Sequence, residues 1–281
     1  MANRSGQVIG GRYKLVGLID KGGQGAVYRA LDLVDGQDLA IKVLADQGSK
    51  DPAFRERMFR EARAMASLGG TAAVRVLDQR WSDDGALCLV MELLQGRDFE
   101  DHLRRIEGEG RLIEPSELLK LIEPVVSTLE VAHDRGILHR DLKPANIFVL
   151  ETGGVRLVDF GFAKFVRERR FTADGFIAGS PSYIAPEIWL DSKHVDQRID
   201  VYSLAAVIFR ALAGKPPFFS KHIVEVLQMA TRAERPSLHA LRLDLPTVVD
   251  DWVVHALAID PNERFSGVRA MWTALCLVLR V

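Results

Sequence analysis

The run His139-Arg140-Asp141-Leu142-Lys143-Pro144-Ala145-Asn146 and the nearby Leu157-Val158-Asp159-Phe160-Gly161 gather polar side chains between apolar stretches. Asp141, Asn146 and Asp159 are hard oxygen donors of the kind that suit Mg²⁺, with the cation Lys143 among them. A carboxylate beside a bound hydroxyl can also accept its proton. A second cluster lies upstream. Leu39-Ala40-Ile41-Lys42 ends an apolar run with an ammonium, and Glu61 follows on a segment of helical spacing. Alone, Lys42 reads as an edge residue facing water; held by Glu61, it presents its charge to phosphate oxygens. The third is Lys21-Gly22-Gly23-Gln24-Gly25-Ala26-Val27. Its glycines make either a plain hairpin turn or a backbone cradle for phosphate. It lacks the Gly-Lys-Ser/Thr ending of a Walker loop. A strand-like run follows it, where a Rossmann fingerprint requires a helix.

These groups need rigid elements around them. Short alternating or apolar runs at Tyr13–Ile19, Ala26–Leu31, Leu39–Leu44, Val74–Gln79 and Ala86–Met91 predict an antiparallel sheet. Asp35-Gly36 and Asp83-Asp84-Gly85 supply turns. Residues 51–68 interrupt the sheet with apolar groups at helical spacing. Beyond Leu94 the chain reads as mostly helical. Pro115 starts a helix with an apolar stripe from Leu118 to Ala132, which Pro124 is expected to bend. Further helices are predicted at Val195–Ala213, Ile223–Ala233, Thr247–Leu257 and Ser266–Leu279.

The chain has 281 residues, 37 Lys and Arg against 38 Asp and Glu, and 48% hydrophobic residues. That composition is globular. The net charge of −1 gives no electrostatic reason to expect nucleic acid or anionic membrane as the main partner. No apolar run reaches the length of a membrane span, and the first residues lack a signal-peptide core. Cys88 and Cys276 lie far apart in apolar runs, which predicts buried free thiols in a reducing, cytoplasmic compartment.

With these motifs in this order, the chain resembles the eukaryotic-type (Hanks-type) protein kinases, serine/threonine class, and among them the bacterial members. Ala185-Pro186-Glu187, Gly179-Ser180-Pro181-Ser182-Tyr183, Asp200 and Arg264 extend the resemblance from about Tyr13 to about Leu279. It implies an α+β, bilobal fold: a tail over 1–10, a small antiparallel β lobe with one main helix over 11–92, and a larger helical lobe over 93–281. It also implies transfer of the ATP γ-phosphate to Ser/Thr hydroxyls of protein substrates, the chain itself included. The alternative is a nucleotide-binding pseudokinase scaffold, which the retention of Lys42, Asp141 and Asp159 argues against.

By the same resemblance Asp141 takes the hydroxyl proton and Lys143 steadies the γ-phosphate. Asn146 and Asp159 hold Mg²⁺ or Mn²⁺. Lys42, braced by Glu61, holds the α- and β-phosphates beneath Gly22, Gly23 and Gly25. Val27, Ala40 and Phe148 sandwich adenine; Met91 gates the rear, and the backbones of Glu92 and Leu94 read the adenine edge. His139, Phe160, Met65 and Val76 correspond to a stacked apolar column, while Asp200, Glu187 and Arg264 are structural clamps. Thr172, the sole hydroxyl residue of Phe165–Ala178, is the candidate phosphosite facing Arg140 and Lys164. The chain departs from the family at Asp20, in place of the first loop glycine. By the resemblance that position lies nearer the ribose than the γ-phosphate, which leaves two readings: a side chain that fits there, or a carboxylate that weakens ATP binding by repulsion. The chain also departs at Gly69-Gly70-Thr71, at Ala145 and at Ser180.

Overall fold

In the computed structural model, residues 3–22, 25–44, 56, 59, 62–160, 181–190 and 195–279 are described. They divide into two compact units, 3–95 and 96–160 with 181–279.

The first unit is a sheet in the order β1-β2-β3-β4-β6-β5. Its strands are β1 (Val8–Ile9), β2 (Tyr13–Gly22), β3 (Gly25–Asp32), β4 (Asp38–Leu44), β5 (Val76–Trp81) and β6 (Leu87–Glu92). All pairs are antiparallel, as the hairpin turns require. The sheet curls until its first strands meet its last. Tyr13 donates its hydroxyl to Asp78 at 2.8 Å, and Arg4 grips both carboxylate oxygens of Asp84 at 3.0 and 2.6 Å. The curl encloses a core containing Leu15, Tyr28, Ile41, Val43, Cys88 and Val90. Lys42 lies on the alternate face of β4, itself only 4% exposed. Gly25 sits at φ 149°, where an added Cβ would lie 2.2 Å from the Val43 carbonyl oxygen. Only glycine lets β3 approach β4 this closely. Residues 56, 59 and 62–66 are helical and 67–68 follow as a turn; the remaining residues of the segment read as the main helix, Glu61 included, fall outside the described residues.

The second unit is mainly helical: α1 (Phe99–Gly108), α2 (Pro115–Asp134), α3 (Pro186–Leu190), α4 (Arg198–Ala213), α5 (Ile223–Arg232), α6 (Val249–Ala256) and α7 (Val268–Leu279). Helix α2 begins with Pro115 at its first turn and buries the stripe read from the sequence. It runs on through Pro124, whose carbonyl accepts a bond from the Thr128 hydroxyl. Helix α4 is buried at every residue from Ile199 to Leu212, so it is the central post of this unit.

Two features depart from the expectations. The mostly helical reading after Leu94 omits a three-stranded sheet of β7 (Gly96–Asp98), β8 (Ile147–Leu150) and β9 (Val155–Leu157). Strands this short carry too little alternation to register as a pattern. Near the N-terminus, Gly6 donates to the Leu15 carbonyl and Leu15 to that of Gln7, fastening this stretch to β2.

Candidate active site

The catalytic-loop motif follows α2. A turn at Gly136 (φ 71°) redirects the chain, and Leu138 leads into His139. Arg140 then takes φ 68°, a left-handed conformation costly for a residue with a Cβ. What holds it is Asp200 on α4, fully buried. Its Oδ2 accepts from the His139 N–H and from His133 Nε2, each at 2.8 Å, and its Oδ1 from the Arg140 N–H at 2.9 Å. Burial opposes ionisation of Asp200, but the hydrogen bonds from His133 and from the Arg140 N–H outweigh it. Its carboxyl is held below the usual carboxylate range.

His139 is a bridge inside the loop. Its Nδ1 accepts the Asp141 N–H at 3.3 Å, and its Nε2 lies 2.9 Å from the Val158 carbonyl, to which it donates. That pattern requires the neutral imidazole, and complete burial lowers its pKa accordingly. Its ring packs on Phe160 at 4.6 Å. Met65 is buried and Val76 half-buried, both in the first unit.

The Asp141 side chain faces Lys143 and Asn146. Lys143 Nζ lies 3.0 Å from its Oδ2, and Asn146 Nδ2 donates to the same oxygen at 3.1 Å and to the Asp141 carbonyl at 2.7 Å. Asn146, buried at the end of the short 3-10 turn Pro144–Asn146, therefore turns its amide N–H groups to Asp141, which leaves the amide oxygen as the atom with which it could ligate a metal. Its backbone carbonyl accepts the Val158 N–H at 2.9 Å. The two strands of chain are thus joined one residue before Asp159, which sits at φ 63°. Asn146 and Asp159 share one short stretch and one chemistry, hard oxygen. Among the described residues no group of three or more His, Cys, Asp or Glu could hold a metal. Two oxygen ligands fit Mg²⁺, which keeps waters and substrate phosphate in its shell.

In the first unit the nucleotide candidates share a sheet face. Val27 stands opposite Lys42, and Ala40 opposite Met91. Opposed residues of antiparallel strands point to the same side. Ala40, Lys42 and Met91 are buried and Val27 half-buried. Gly22 is exposed at the end of β2, with nothing within 4 Å of an added Cβ. Glu92 commits its N–H to the Arg75 carbonyl, so an adenine contact from it falls to its carbonyl. Leu94 is half-buried in the connection after β6. Phe148 belongs to the second unit, half-buried on β8. Gly23, Glu61, Lys164, Thr172 and Ser180 lie outside the described residues.

The clamps stand as read. Arg264 binds both oxygens of Glu187 at 2.7 Å. Sequence reasoning passed over His133, a helix-end histidine with no motif around it until Asp200 is known to face it.

Comparison with known proteins places the chain in a family. Residues 13–275 match the family profile described as protein kinase domain. The chain is 35% identical over 273 residues to a probable serine/threonine-protein kinase PknB of Corynebacterium glutamicum, covering 94% of this chain and 42% of that protein. To the serine/threonine-protein kinase PksC of Streptomyces coelicolor it is 34% identical over 269 residues, covering 94% and 48%. The chain thus spans less than half the length of these two curated relatives. The crystal structure of the PknI kinase domain of Mycobacterium tuberculosis superposes with a TM-score of 0.78 at 30% identity, covering 100% of both chains. The α+β fold is the protein kinase fold, and this chain belongs to the protein kinase family.

Proposed function

We propose that the chain is an active serine/threonine protein kinase that uses ATP and a divalent cation, Mg²⁺ or Mn²⁺. The observation that carries this reading is the Asp141 carboxylate, bonded through Oδ2 to both Lys143 and Asn146. Those contacts hold it as a fixed acceptor in a half-buried setting. Asp141 takes the proton of the substrate hydroxyl as its oxygen forms a bond to the γ-phosphorus. The bond from that phosphorus to the bridging oxygen breaks, and ADP leaves with the electron pair. Lys143 offsets negative charge beside the transferring group. Lys42 holds the α- and β-phosphates, and Gly22 and Gly25 leave backbone N–H groups accessible to phosphate oxygen. Asn146 and Asp159 would hold the cation, which would supply neutralisation of the triphosphate charge.

Lys143 two residues after the proton acceptor supports serine and threonine as acceptors. The pseudokinase alternative has no observation in its favour. We assign the reaction to the cytoplasm, where ATP is present and the free thiols of Cys88 and Cys276 are kept reduced. Among the described residues, no helix is long and apolar enough to cross a membrane.

The test is incubation with Mg-ATP, followed by phosphosite mapping on the chain and on a peptide array. Asp141→Asn is expected to lower turnover by roughly 10²–10⁴ while leaving the melting temperature in place. Excess chelator is expected to abolish transfer, and Mn²⁺ to restore it. Wild-type rates from Asp141→Asn, or from chelated protein, overturn the reading.

A further inference from the structure

One residue on the nucleotide-facing side of the sheet has no part in the scheme above. The register runs as a single transverse row: Asp20 opposite Val27, Val27 opposite Lys42, Lys42 opposite Leu89, and Leu89 opposite Gln79. Asp20 therefore shares its face with Val27 and Lys42. A bulge puts it there. Leu18 pairs with Tyr28 and the next pair is Asp20 with Val27, so Ile19 is skipped. Without that extra residue Ile19 would oppose Val27; the bulge re-aims the strand and presents a carboxylate instead.

Strand spacing sets what this carboxylate can reach. It lies two strands from Lys42, roughly 10 Å away. A nucleotide with its base on Val27 and Ala40 and its phosphates at Lys42, Gly22 and Gly25 carries its sugar between those contacts. That stretch runs along Val27, beside Asp20. Toward phosphate a carboxylate is repulsive; toward a vicinal diol it is complementary, because it offers only acceptors to two O–H donors. Its Oδ1 already takes the Lys21 N–H at 2.7 Å, which fixes the side chain's direction and keeps Oδ2 for a further donor. Acidic side chains read ribose hydroxyls in this way at the edge of dinucleotide sites.

We propose that Asp20 accepts a hydrogen bond from a ribose hydroxyl of ATP and makes this chain discriminate ribonucleotides from their deoxy analogues. The proposal rests on the ATP-dependent reading above. Because Asp20 is exposed, water competes for it, and a discrimination of about tenfold is expected, the low end for a hydrogen bond to a charged group.

Calorimetric binding of ATP, 2′-deoxy-ATP and 3′-deoxy-ATP to the full chain tests it, alongside KM and kcat for each nucleotide. The wild type is expected to bind at least one deoxy analogue about tenfold more weakly than ATP. Asp20→Ala is expected to bring the ratio within about twofold by weakening ATP, with an unchanged melting temperature. Equal wild-type affinity for all three, or a ratio that survives Asp20→Ala, overturns the proposal while leaving the kinase reading intact. So does a variant that binds all three equally more tightly, since that is simple repulsion. A chain that bound none of them would overturn the ATP reading, and the proposal with it.

Discussion

The backbone N–H of Arg140 donates a 2.9 Å hydrogen bond to Oδ1 of Asp200, a residue sixty positions further along the chain. Arg140 is in the left-handed region at φ 68°. The strain of that conformation sits directly before the proposed proton acceptor, and the buried carboxylate offsets it. Asp200 therefore acts on the reaction through the backbone, as a positioning residue for Asp141.

Removing that carboxylate leaves the N–H groups of His139 and Arg140 and the ring of His133 without their acceptor inside the protein. Asp200→Ala is expected to cost about 3–5 kcal/mol in urea unfolding. Asp200→Asn keeps the shape but turns one acceptor into a donor facing an N–H, so it is expected to fall between. In that variant kcat is expected to drop further than the affinity for ATP, because the nucleotide candidates on β3 and β4 are untouched. Two variants as stable and active as the wild type would show that Asp200 is not the anchor.

His139 gives the loop a pH dependence whose sign can be worked out. Its folded pKa is lowered by burial, so the unfolded chain binds a proton more readily than the native one. Below about pH 6.5, the ordinary histidine value, unfolding therefore gains protons and stability falls; above it this contribution is fully present. Asp200, whose folded pKa is also lowered, adds its own loss only below about pH 4. The melting temperature is expected to decline as pH falls from 7 to 5, and His139→Phe to flatten that slope even though it starts lower. An equally steep decline in His139→Phe would assign the effect elsewhere.

The pattern of residues revealed the motifs more readily than what holds them. Strands β3, β4 and β6 announce themselves, since apolar residues run almost unbroken between turn signals. Helix α1 did not, because Phe99, Leu103 and Ile106 are its only buried residues amid charged ones. Its signal was the Asp98 cap, which accepts the Asp101 N–H. Asp141, Asn146 and Asp159 were readable because their order within one short stretch carries the chemistry. The Asp200–His133 bond was not, since it joins a helix end to the central post across sixty-seven positions. The bulge at Ile19 escaped for a related reason. It depends on which residue of β3 faces Asp20, and pairing across a hairpin is invisible in the strand's own pattern.

Two glycines of the loop are expected to behave oppositely. Gly25→Ala forces a Cβ to 2.2 Å from the Val43 carbonyl oxygen at a φ of 149°, and is expected to cost about 1–3 kcal/mol. Gly22→Ala meets nothing within 4 Å, so stability is expected to stay within about 0.5 kcal/mol. Its effect is expected in the KM for ATP, where a methyl group crowds the approach of phosphate to the backbone. Denaturant melts and nucleotide titration of both variants separate the two roles. A stable Gly25→Ala, or a Gly22→Ala with unchanged KM, would undo the corresponding half.

The last prediction concerns Thr172, which lies outside the described residues. Among those that are described, the Arg140 guanidinium makes no hydrogen bond or ion pair, although its backbone is pinned by Asp200. A cation whose backbone is anchored in the catalytic loop, with no carboxylate on its guanidinium among the described residues, is a ready receptor for phosphate. Phosphorylation would add about −1.5 to −2 charges and draw the activation segment onto it. Incubation with Mg-ATP is expected to place phosphate on Thr172, and Thr172→Ala to lower activity towards protein substrates. Arg140→Ala separates the receptor from the loop: its backbone can still reach Asp200, but phosphorylation of Thr172 is expected to bring no gain in activity. Mass spectrometry paired with peptide assays before and after phosphatase treatment reads both. A fully active wild type with an unmodified Thr172 would overturn the phosphosite, and an Arg140→Ala variant still activated by phosphate would move the receptor elsewhere.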